Sequence, residues 1–143
     1  MGEAPAAAPR IRRNSMPVTA LVDPDTGIAH YSATGDLTRD DVLAIITKVY
    51  SDPAFRSPWL SMWDLAGARP LFTAAELREV AAHVKDHRPV DAGRIAIVAT
   101  EDLAFGMSRM YEVFASDLRV ETRVFRDSGL AQRWLLEGEP EAS

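Results

Sequence analysis

The chain has 143 residues, 47% of them hydrophobic and 26% charged, a composition suited to one globular domain. It contains no cysteine, which excludes a disulfide scaffold, a thiol nucleophile and any Cys-ligated metal. With 16 basic and 21 acidic side chains its net charge is −5, and sequence-blind binding of nucleic acid, which needs a basic face, is not expected.

Residues 1–15 are small and proline-broken, with Arg10, Arg12 and Arg13 as a short basic cluster. They read as a flexible arm without the charged start and apolar block of a secretory signal. No apolar run approaches the ~20 residues of a membrane-spanning helix. Residues 16–138 read as one domain, and residues 139–143 as an acidic tail.

Residues 18–22 and 28–33 are β-prone and flank Asp23-Pro24-Asp25-Thr26-Gly27, a segment dense in turn chemistry, so they predict a hairpin. Thr38 follows as an N-cap, with Asp41 three residues on. Val42, Ile45, Ile46, Val49 and Tyr50 then recur at helical spacing. Pro53 and Pro58 bound a connecting loop. Residues 59–65 are nearly all apolar, which fits a parallel strand covered on both faces. Residues 66–70 read as a loop. Thr73 and Glu76 form a capping box ahead of Leu77, Val80, Ala81 and Val84. Residues 94–100 are the clearest strand. Leu103, Met107, Met110, Tyr111 and Phe114 predict the buried stripe of a third helix. Residues 119–125 alternate as a strand. Asp127 caps a last helix that buries Leu130, Ala131, Trp134 and Leu135, with Gly138 as its stop. There is no internal repeat and no linker. Strand–helix alternation after a hairpin gives an α/β fold, a mostly parallel sheet of about five strands with four helices.

This element order, together with Gly35-Asp36-Leu37-Thr38-Arg39-Asp40-Asp41, Trp63-Asp64-Leu65, Arg94-Ile95-Ala96-Ile97-Val98, Phe105-Gly106-Met107-Ser108-Arg109-Met110-Tyr111-Glu112 and Val124-Phe125-Arg126-Asp127, resembles the SpoIIAA-like (STAS/SEC14-like) group of small bacterial α/β domains. The resemblance implies a cytoplasmic protein of a group often without assigned function. Its anti-sigma relatives carry a phosphorylatable hydroxyl at the helix start after the Asp-ended strand. Residues 64–69 here offer none, and Thr73, the first candidate, already serves as a cap.

Four constellations can carry function. Glu79, His83 and His87 share one helix face, either as metal ligands or as a solvated polar face with an intrahelical pair; no bound metal or cofactor is expected. Asp64, at the end of a buried strand, and Arg69 can bind a polar ligand or pair with each other. Phe105 lies about 160° from the expected stripe centre, with Arg109 and Glu112 on its side. It is either covered by the arm or the loop after the last strand, or part of a protein contact such as a homodimer. Trp63, Met107, Met110 and Tyr111 are either plain core or the wall of an apolar cavity between the sheet and the third helix. No Gly-x-Ser-x-Gly elbow and no glycine-rich phosphate loop is present.

The leading expectation is therefore a non-catalytic binding or regulatory module that acts through protein contacts, with Trp63, Asp64, Arg69, Phe105, Arg109 and Glu112 as its candidate binding residues. The alternative is a carrier of a small apolar or acyl ligand held between the third helix and the sheet. A small hydrolase or lyase built on Asp64 and His30 has the least support.

Overall fold

The computed structural model describes residues 17–88, 93–116, 118 and 120–138. The arm and tail read from the sequence lie outside these residues. Among them, five strands form one sheet in the order β1-β2-β3-β4-β5. The strands are β1 (Val18–Val22), β2 (Ala29–Leu37), β3 (Leu60–Pro70), β4 (Arg94–Val98) and β5 (Glu121–Phe125). β1 pairs antiparallel with β2, and every later pairing is parallel. Helices α1 (Arg39–Tyr50), α2 (Ala74–His87) and α3 (Asp102–Phe114) connect successive parallel strands, and α4 (Ser128–Glu137) follows β5.

The β1–β2 turn is held locally. The Asp23 carbonyl accepts the Gly27 N–H at 2.7 Å, and Asp23 Oδ1 accepts the Asp25 N–H at 2.8 Å. Gly27 sits at φ 76°, a conformation that only glycine adopts without cost. The capping boxes of α1 (Thr38 with Asp41) and α2 (Thr73 with Glu76) both form. Asp127 accepts from Leu130 N–H at the start of α4.

The strand order rises by one at each parallel step. Right-handed crossovers in a constant direction put every connecting helix on the same face. Accordingly α1, α2 and α3 share one core with the inward residues Tyr31, Leu65, Ile95 and Ile97. On the other face, α4 packs Ala131, Trp134 and Leu135 against Leu60, Met62, Ala96 and Val98. No helix among the described residues is long and apolar enough to cross a membrane.

The structure corrects the sequence reading at three places. Residues 66–70 are strand, not loop: β3 runs on to Pro70, with Ala68, Arg69 and Pro70 opposite Gly35, Asp36 and Leu37 of an equally extended β2. Ser32 faces Asp64 while Thr34 faces Gly67, so β3 takes one extra residue there, and the bulge breaks the alternation that would have revealed the strand. Leu130 is exposed rather than buried. The third correction concerns α3. Its buried side is Ala104, Ser108 and Tyr111, while Leu103 and Met110 are exposed. Small side chains at the contact let the helix lie close to the sheet, and the longer ones are displaced to its flank.

Candidate functional site

Between the sheet and the layer of α1, α2 and α3 lies an apolar cavity of about 70 Å³ that opens to solvent. Strands β3 and β4 supply Trp63, Leu65, Ile95 and Ile97. The helices add Val42 and Ile46 from α1, Leu77 and Val80 from α2, and Met107, Ser108 and Tyr111 from α3. Leu37, Pro70 and Phe72 complete the wall where β2 and β3 end. No Asp, Glu, Lys, Arg or His is among the lining residues.

Trp63 is fixed by a neighbour. Its indole stacks on the Tyr31 ring, with centroids 3.9 Å apart and planes 4° from parallel. The two residues face each other in the β2–β3 register, so pairing of the strands sets the stack directly. Tyr31 is almost fully buried, and burial pushes its phenol above the ordinary tyrosine range. Burial does the same to Tyr111.

Ser108 brings a hydroxyl to an otherwise apolar wall. It is 4% exposed, and its Oγ has no hydrogen-bond partner among the described residues. Elsewhere helical hydroxyls fold back onto the preceding turn, Thr47 to the Leu43 carbonyl at 2.9 Å and Ser51 to the Thr47 carbonyl at 3.0 Å.

Near the start of β3, a buried guanidinium closes the core. Arg88 donates to the Tyr50 hydroxyl at 3.2 Å and to the Trp59 carbonyl, and its carbon lies 5.7 Å from the Phe55 ring centroid. Its Nε finds no acceptor. Burial raises the Tyr50 phenol, and the Arg88 charge opposes that rise.

Of the residues singled out in the sequence, Trp63, Met107 and Tyr111 meet at the cavity, whereas Met110 does not. Asp64 is half-buried, and its Oδ1 accepts the Ala66 N–H at 3.0 Å. Arg69 does not pair with Asp64. It binds Asp36, directly opposite on β2, with an N···O distance of 2.8 Å. His30 stands opposite Met62, two positions from the Ser32–Asp64 pair, and no hydrogen bond joins His30 to Asp64 among the described residues. Phe105 is half-buried under the Arg126 guanidinium, 4.0 Å above its ring centroid, from the loop after β5. Arg109 and Glu112 pair with each other at 3.1 Å.

The face of α2 that carries Glu79, His83 and His87 turns toward α1. Glu79 is bound by Arg39, and His83 Nε2 lies 3.2 Å from Thr47 Oγ1. The Thr47 proton already goes to Leu43, so Nε2 must be the donor. The imidazoles of His83 and His87 stack 4.0 Å apart. Burial and the His87 neighbour depress the His83 pKa. No group of three His, Cys, Asp or Glu among the described residues is arranged to hold a metal ion.

Sequence reasoning missed Ser108, Arg88 and Phe55. Phe55, an aromatic stranded between Asp52-Pro53 and Ser57-Pro58, was a legible signal of a buried loop residue. Ser108 gave none, because a serine in an amphipathic helix normally faces water.

Comparison with known proteins bears on the fold. The chain is similar to the crystal structure of an uncharacterised protein of the DUF3478 family from Shewanella loihica PV-4, which has a SpoIIAA-like fold. The TM-score is 0.57 at 18% identity, over 82% of this chain and 93% of that one. No family model matches the sequence. No curated protein matches it either. The fold is therefore SpoIIAA-like, in agreement with the expectation from the sequence.

Proposed function

We propose that this protein is a non-catalytic binding module that holds a small apolar ligand between α3 and the sheet. The cavity carries this reading. Protein interiors are packed to crystal-like density, and a cavity of about 70 Å³ bounded by Trp63, Met107, Tyr111 and aliphatic side chains departs from that norm. Its lining, apolar and aromatic with one hydroxyl, matches the general character of small-molecule sites. An apolar pocket of this kind supplies binding energy through burial and offers no acid–base pair for chemistry.

The test is native mass spectrometry of the full chain purified from its source, before and after denaturation, alongside displacement of the hydrophobic probe 1-aminoanthracene. Saturable probe binding that is lost in Ile97→Trp, a cavity-filling change, supports the reading. Equal probe binding by both proteins removes it.

A second reading, regulation through protein contacts including self-association, is favoured by the outer side of α3. Leu103, Met110 and Val113 are 53%, 41% and 66% exposed there. At helical spacing Phe105, Arg109 and Glu112 flank the opposite side of the same helix. Light scattering decides: one unchanged monomeric mass for the wild type, Val113→Glu and Phe105→Glu would eliminate a homodimer through this helix.

A further inference from the structure

The chemistry of the ligand can be taken one step further, on the premise that the cavity is a binding site. The wall has no ionisable group apart from the Tyr111 phenol, which burial holds in its neutral form. A carboxylate or ammonium placed inside would lose its hydration and meet no counter-charge. The space is therefore hostile to charge but not wholly to polarity, because Ser108 is there.

Ser108 is more than nine-tenths buried and lines the cavity, with no partner among the described residues. Its Oγ is not among the atoms of the described residues fully buried without a partner, which are Ser61 Oγ, Arg88 Nε and Thr122 Oγ1, so it is reached from the cavity that Ser108 lines. Ala104, one turn earlier on the same buried side of α3, shows that the helix accommodates alanine against the sheet. The hydroxyl contributes nothing to helix capping or to any side-chain network of the fold. Its position leaves it free to donate to, or accept from, one polar atom of an occupant.

We infer that the cavity selects a neutral amphiphile: an apolar body bearing one hydroxyl or carbonyl oxygen that hydrogen-bonds Ser108. Free carboxylates are excluded from the interior, and plain hydrocarbons bind without the polar contact.

Three probes with one shared ring separate these features: 4-methylphenol, toluene and 4-methylbenzoate, each titrated into the full chain at pH 7.5 with calorimetric readout. The expected result is that the wild type binds 4-methylphenol roughly three- to tenfold more tightly than toluene, the range of one hydrogen bond. The 4-methylbenzoate anion should bind at least about tenfold more weakly than the phenol, as an unpaired buried charge demands. In Ser108→Ala the phenol preference should vanish while toluene affinity is kept, and the melting temperature of the ligand-free variant should not fall. A phenol preference that survives in Ser108→Ala, no preference in the wild type, or a carboxylate that binds as well as the phenol overturns the inference and leaves the cavity reading standing. If toluene and 4-methylphenol both fail to bind, the cavity reading itself falls, and this inference with it.

Discussion

The Tyr31 ring lies flat on the Trp63 indole, 3.9 Å between centroids, and so joins β2 to β3 beneath the helix layer. The pair stands beside the cavity, with Trp63 as one wall. Stability and binding are thus coupled at Trp63. Replacing it by alanine removes the stack and enlarges the void, and it should cost about 3 kcal/mol in urea unfolding, the lower part of the range for aromatic truncation because Trp63 is only partly buried. Trp63→Phe should cost about 1 kcal/mol, since stacking survives. Equal losses for the two variants would show that the stack contributes nothing.

Alkaline pH should weaken the fold steeply. All three tyrosines, Tyr31, Tyr50 and Tyr111, have phenol pKa values raised chiefly by burial. Raised folded values mean that the native state keeps protons which the unfolded chain releases above about pH 10. Stability from this source is complete below that pH and is lost as pH climbs toward the folded values. The limiting slope is about −1.4 kcal/mol per pH unit for each tyrosine, or about −4 for all three. Unfolding free energies measured from pH 8 to pH 11 should stay level and then drop; a level profile to pH 11 would contradict the burial of these rings.

Two glycines should respond in opposite directions to alanine. Gly93 has φ 118°, and an added Cβ would clash with the carbonyl oxygens of Trp59 and Pro58. The backbone must move, so Gly93→Ala should destabilise by about 3 kcal/mol or more. Gly106 lies inside α3 with open space where its Cβ would go. Gly106→Ala should stabilise by about 0.5–1 kcal/mol through helix propensity. Thermal denaturation of both variants beside the wild type checks the pair.

Arg88 should resist conservative exchange. Its fork serves two acceptors, the Tyr50 hydroxyl and the Trp59 carbonyl. Arg88→Ala strips the carbonyl of a close donor and should cost about 2 kcal/mol. Lysine has no planar fork to span both oxygens, so Arg88→Lys should recover less than half of that loss in chemical unfolding. Full recovery by lysine would reduce the role of Arg88 to charge alone.

Much of the fold was legible because its signals were local. The Thr38 and Thr73 capping boxes, the Asp23–Gly27 turn and the apolar run before Asp64 each depend on a few neighbouring residues. The errors arose where packing between distant segments decided the outcome. The extension of β3 past Asp64 depends on β2 lying alongside and on a bulge that hides the period. The rotation of α3 depends on how closely a helix can approach the sheet at Ala104 and Ser108, and apolar periodicity placed the stripe part of a turn away: Met107, Tyr111 and Phe114 do face the core, whereas Leu103 and Met110 do not. The candidate site divided along the same line. Trp63, Met107 and Tyr111 were found because large apolar side chains stand out. Ser108 was not, because its significance comes entirely from what surrounds it. Asp64 and Arg69 were adjacent enough in sequence to suggest a pair, but cross-strand register gave Arg69 to Asp36.

The placement of α4 has a consequence for how the molecule is made. The other three helices are each synthesised between two strands that they bridge, so their side of the sheet can be shielded as the chain lengthens. The reverse side receives Trp134 and Leu135 only after β5 is complete. A nascent chain on the ribosome therefore presents Leu60, Met62 and Val98 to solvent or to chaperones until α4 has emerged and docked.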